Sequence, residues 1–289
     1  MRLDGRRESS NVDDRRRAGG GTIAGVGLGG IVIVGLLTLL MGGNLGDVFN
    51  NVVQTTMQQG SVTSGGTGEF TEEEQQLATF SKQILAGTED IWTAIFAKHN
   101  LNYRAPKMVL YTGTTSSGCG TANASIGPFY CSADECLYID LNFFSSMKQQ
   151  LGADGDFAYA YVIAHEVGHH VQHLLGTLDK AHQQMNRMSK AAANAVSVRI
   201  ELQADYYAGV WGRNDNAKFG SLEAGDIDEA IRCASVIGDD YLQKKSQGYV
   251  VEESFTHGTA AQRKKWLSRG LNYGDLEHGD TFSISESQL

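Results

Sequence analysis

His165-Glu166-Val167-Gly168-His169 carries the chain's clearest capacity for chemistry. Two histidines four apart on a helix project from one face, about one turn and ~6 Å apart along the axis. Their imidazole nitrogens can grip one Zn²⁺ at about 2.0–2.1 Å. Glu166 lies ~100° further round, where it can reach a water at the metal without ligating the ion. Gly168 leaves room for a neighbouring backbone. The chemistry such a set performs is metal-assisted hydrolysis.

A catalytic zinc site takes three protein ligands and keeps one position open. No histidine follows at the HExxHxxGxxH spacing, because Gln172 and Leu175 stand where glycine and histidine are required. Glu201 is the candidate third ligand, giving a His₂Glu set of the gluzincin kind. Asp205 shares its helix face four residues on and can accept a hydrogen bond from the free ring nitrogen of a ligating histidine. Glu223, Asp226 and His257 compete with Glu201. His173 lies eight residues past His165, ~12 Å along the helix, so the three cannot hold one ion. It reads as packing or pocket wall, His170 as a helix-flank residue, and His99, His182 and His278 as surface residues.

The elements that must position these residues are mainly helical. Apolar positions 163, 167, 171, 174 and 175 follow helical spacing, with Asp154 or Asp156 as cap and Gly176 as stop. Ala204 and Ala208 allow a second helix to pack closely. Thr71-x-x-Glu74 is a capping box opening a further helix with a break near Gly87. Other helices are expected over 144–151, 180–213 in two pieces, 226–246 and 258–269, with a loose tail beyond Gly270. Met108–Tyr111 and Cys136–Leu141 read as strands. Leu137, Ile139 and Leu141 face one way, Tyr138 and Asp140 the other. These strands, with Ala122–Ser125, are candidates for an edge that binds an extended substrate. The fold class is therefore α+β, mostly helical, with a small sheet.

The chain has 289 residues and a net charge of −9. Residues 1–17 carry six Arg against four acidic residues, so the excess negative charge lies in the globular part, which argues against a nucleic-acid partner. Residues 18–43 are uncharged, and Ile23–Met41 is long enough to span a ~30 Å hydrocarbon core. A cleaved signal peptide is the competing reading. Arg15-Arg16-Arg17 just before the span places the N-terminus in the cytoplasm and the body outside. The expected organisation is a disordered cytoplasmic tail at 1–17, a single transmembrane helix at 18–43, a flexible linker at 44–68 and a catalytic domain at 69–289. In a Gram-negative host the domain would be periplasmic, on the inner membrane.

Four cysteines on that side allow three pairings. Cys119–Cys131 would clamp the Gly- and Ser-rich loop, and Cys136–Cys233 follows by elimination.

Several segments together resemble the bacterial family of membrane-anchored putative neutral zinc metallopeptidases. They are Arg6–Arg16, Gly127-Pro128-Phe129-Tyr130-Cys131, Tyr138-Ile139-Asp140-Leu141, the His165 motif, Glu201-Leu202-Gln203-Ala204-Asp205, and Ser254-Phe255-Thr256-His257-Gly258-Thr259. The family favours proline after the cysteine of the second segment, where this chain has Ser132. The resemblance implies a zincin-like peptidase domain that uses Zn²⁺ on a peptide or protein substrate. His257 followed by Arg263 is similar to an element of related membrane-anchored HExxH-Glu peptidases. This implies that His257 helps stabilise the transition state, while Thr256 or Thr259 caps the helix that follows. Two other functions keep the same ligands: a non-catalytic zinc-containing binding module of the envelope, and a zinc hydrolase of a non-peptide amide.

Overall fold

The computed structural model describes residues 1–17, 70–123 and 126–289. The expected membrane-spanning segment and linker, 18–68, lie outside the described residues. Among the described residues no helix is long and apolar enough to cross a membrane.

Thr71 opens α1 (Glu72–Lys98) through the expected capping box. The helix runs through Gly87 without a break, because Gly87 serves packing. A Cβ there would lie 2.8 Å from the Arg6 guanidinium. Strands β2 (Lys107–Tyr111) and β6 (Cys136–Asp140) are almost wholly buried. They form the centre of a four-stranded sheet in the order β1-β2-β6-β5, where β1 is Val12–Asp14 and β5 is Phe129–Cys131. β1, β2 and β6 are parallel, and β5 runs antiparallel to β6. Leu137 and Ile139 enter the main core on one face, and Cys136 and Tyr138 a smaller cluster on the other. β3 (Thr114–Ser117) and β4 (Gly120–Asn123) make a separate hairpin. Of Ala122–Ser125, the last two residues lie outside the described ones.

The rest is helical: α2 (Asn142–Ser146) with a following π turn, α3 (Asp156–Leu174), α4 (Thr177–Met185), α5 (Lys190–Phe219), α6 (Asp226–Val236), α7 (Asp239–Gln247) and α8 (Ala260–Tyr273). The expected helix over 226–246 is interrupted at Ile237-Gly238. A Cβ on Gly238 would come 2.3 Å from the Ala260 nitrogen, so only glycine lets the chain pass there. Helices α3 and α5 touch through Gly168, whose Cβ would sit 2.9 Å from the Ala204 carbonyl oxygen. Helices α5 and α8 cross just as closely at Gly209 and Gly270. Trp92 and Trp211 are buried around these crossings, and Trp92 meets Tyr207 edge to face.

Three further expectations need correction. Residues 1–17 are not a disordered tail: β1 joins the sheet, and Arg6 forks onto Asp215 at 2.7 and 3.3 Å. The chain beyond Gly270 is not loose, because α8 continues to Tyr273 and Thr281 is fully buried. Trp266 donates to the Leu289 carbonyl, and Gln203 to that of Gly279. Cys119 and Cys131 are bonded as expected, but Cys136 and Cys233 are free. Cys136 lies in the smaller cluster, whereas Cys233 sits in the main core against Met147.

Candidate metal centre

α3 presents His165 and His169 one turn apart, and α5 presents Glu201 opposite them. The Gly168–Ala204 contact sets the spacing between the two helices. His165 Nε2 lies 3.0 Å from one Glu201 oxygen, and His169 Nε2 lies 3.5 Å from the other. The ligand atoms of the three residues fall within 4.8 Å of one another. Two imidazoles and a carboxylate at this spacing suit zinc, with room for a fourth position.

The other ring nitrogens are held in turn. His165 Nδ1 meets Asp205 Oδ1 at 2.8 Å, as the helix spacing predicts. His169 Nδ1 meets Gln172 Oε1 at 2.9 Å. Gln172 is itself fixed, because its amide donates to the Ile200 carbonyl and to Gln203. Each Nδ1 thus faces an acceptor, so each Nε2 is the nitrogen left to give its lone pair to a metal when one binds. Asp205 also accepts both Arg263 donors at 2.9 Å and the Tyr161 hydroxyl at 2.5 Å. Sequence reasoning missed Gln172 and Tyr161. Gln172 lies three residues past His169 on one helix face, and that spacing was the available signal.

The charges agree with this geometry. Burial would raise the Glu201 carboxyl, but the facing histidines hold it well below its usual range. Burial acts likewise on Asp205, yet Arg263 and His165 bring it down to about 2. Without metal, burial would lower the His165 imidazole, but Asp205 and Glu201 raise it to about 10. Glu166 differs. Burial raises its carboxyl against the pull of the two histidines, which suits a group that must accept and release a proton.

The three candidate ligands and Glu166 line a cavity of about 390 Å³, together with His257 and Arg263. His257 Nδ1 contacts Thr256 Oγ1 at 3.0 Å and Asp239 Oδ1 at 3.2 Å. The other Asp239 oxygen accepts backbone N–H groups from Thr256, His257 and Gly258. This fully buried carboxylate opens α7 just past the Gly238 interruption, and no spacing or motif in the chain singles it out. Burial would lower the His257 imidazole, but Asp239 raises it. Phe129 and Tyr130 of β5 and Cys119 line the same cavity.

Other candidates fall elsewhere. Glu223 and Asp226 hold the amino group of Met1 and take no part in the site. His170 is no mere flank residue. It is fully buried, ties α3 to the Tyr130 hydroxyl and the Arg104 carbonyl, and burial lowers it to about 4. His173 pairs with Asp179 outside the cavity. His182 is exposed, as expected, and also lines the cavity.

Relatives share this chain's length. The uncharacterized protein YpfJ of Escherichia coli strain K12 is 47% identical over 294 residues, covering 99% of this chain and 100% of the relative. The uncharacterized protein Rv2575 of Mycobacterium tuberculosis strain H37Rv is 42% identical over 194 residues, 64% of each chain. No solved structure matches. A family model described as "Putative neutral zinc metallopeptidase" matches residues 1–282, which takes in both helices of the His₂Glu cluster and the strand at the N-terminus. The chain therefore belongs to the neutral zinc metallopeptidase family that this description names.

Proposed function

We propose that the protein is a membrane-attached peptidase that hydrolyses peptide bonds with zinc held by His165, His169 and Glu201. The observation that carries this reading is the convergence of both Nε2 atoms on Glu201 while both Nδ1 atoms are anchored. Zinc held there would supply Lewis acidity to the scissile carbonyl and to the attacking water. Glu166 takes the proton from the attacking water at its carboxylate and delivers it to the leaving amine. His257, held at Nδ1 by Asp239, donates from its other nitrogen toward the oxyanion that forms at the scissile carbonyl. Arg263 acts indirectly: it keeps Asp205 ionised, and Asp205 keeps His165 in the ligating tautomer.

An extracytoplasmic location for the domain, on the bacterial inner membrane, completes the reading. The Cys119–Cys131 bond favours an oxidising compartment. The apolar stretch 18–43 is the attachment.

The test uses full-length protein purified in detergent, as wild type and as Glu166→Gln. Both should carry one zinc. Only the wild type should cleave a mixed peptide library, with the variant slower by about 10²–10⁴. Zinc in both with equal cleavage would remove Glu166 from its role. Zinc in both with no cleavage by either would favour a binding module or a non-peptide substrate.

A further inference from the structure

Residues 1–17 are built into the body, and this constrains how the chain meets a membrane. Val12, Asp13 and Asp14 pair in register with Met108, Val109 and Leu110. Glu89, nearly buried on α1, takes Ser9 at 2.5 Å, Asn11 at 2.8 Å and Arg7 at 2.9 Å. Asp215, fully buried on α5, takes the Arg6 fork and the Ser221 hydroxyl. The missing side chain at Gly87 is the space that Arg6 and Asp215 occupy. Two acidic groups in the body thus find their cationic partners in the N-terminal segment, so the body is shaped to receive it.

The two ends of the intervening chain also meet. The guanidinium of Arg16 lies 3.9 Å, and that of Arg17 4.8 Å, from the centre of the Phe70 ring. A single crossing would separate residues 17 and 70 by a hydrocarbon layer of ~30 Å. Neighbouring strands, by contrast, lie only ~4.8 Å apart. A cytoplasmic residue 12 cannot pair with an extracytoplasmic residue 108.

We propose that residues 1–17 and 70–289 lie on one side of the membrane. This proposal departs from the charge-bias expectation of a cytoplasmic N-terminus with an external body. The inference rests on membrane attachment and is independent of peptidase activity.

Single cysteines at two exposed positions, Asp4→Cys and Tyr249→Cys, test it in the full-length chain. The native thiols of Cys136 and Cys233 are buried, and Cys119 and Cys131 are bonded, so background labelling is low. Spheroplasts are treated with a membrane-impermeant maleimide before and after lysis, and the protein is followed into the carbonate-washed membrane pellet. The expected result is a pelleted protein whose two sites label alike. Labelling of one site before lysis and of the other only afterwards would overturn the proposal. So would a wholly soluble full-length protein, or a mature chain that has lost residues 1–17. A charge swap gives an independent reading in detergent. Arg6→Glu should lower Tm by about 5–15 °C, and Arg6→Glu with Asp215→Arg should recover part of that loss. An unchanged Tm in Arg6→Glu would show that the segment does not pack on the body.

Discussion

His169 keeps a nitrogen free for metal because Gln172 occupies the other one. Gln172→Leu should therefore lower zinc affinity about 10–100-fold with little change in the fold, as competition with a chelating dye would show. Unaltered affinity would mean that Gln172 does not orient the ring. His165 yields a pH prediction. In the metal-free protein its pKa is raised from 6.5 to about 10. A raised folded pKa contributes stability that is complete below 6.5 and is lost as pH rises through about 10. The Tm of chelated protein should fall across that window. Zinc requires the neutral imidazole, so loaded protein should hold its Tm there. A chelated protein that gains Tm over the same window would rule out the His165–Asp205–Glu201 ion pairing. The grouping of His165, His169, Glu201 and Asp205 was legible in the sequence because i,i+4 spacing places each pair on one helix face, whatever the rest of the fold does. Asp239 was not, since its role exists only where α7 meets the Thr256–Gly258 backbone.

At the scale of elements, the distance between α3 and α5 decides whether three ligands reach one ion. Gly168 sets it, with no space for a methyl group before the Ala204 carbonyl. Gly168→Ala should cost about 1–3 kcal/mol of stability. It should also weaken zinc binding, because Glu201 moves away with α5. Denaturant melts and zinc titration on the same preparation would show both effects, and an unchanged zinc affinity would mean that the helices part without moving the ligands. This approach was readable in advance from Gly168, Ala204 and Ala208. The interruption before α7 was not, because Gly238 looks like any helix-tolerated glycine until α8 is seen to pass against it.

At the scale of the whole molecule, the N-terminal segment was the least legible part. Seventeen residues dense in charge read as solvent-exposed, and their partners on α1, β2 and α5 lie some 80–210 positions away in sequence. A chain of residues 70–289 alone would leave Asp215 and Glu89 without cations and expose the side of β2. It should be less stable than the full chain by at least about 3–5 kcal/mol. Equal urea midpoints for the two chains would contradict that. The order β1-β2-β6-β5 has one more consequence. A sheet invites strangers at its margins, and this one has two. The margin at β1 is three residues long and studded with the Asp13–Arg15 and Asp14–Arg16 pairs, a poor template for another chain. The margin at β5 carries Phe129 and Tyr130 and borders the cavity. With the β1 side blunted, β5 is the margin of this sheet left open to an added strand, and under the proposed function an extended substrate would lie there beside the cavity.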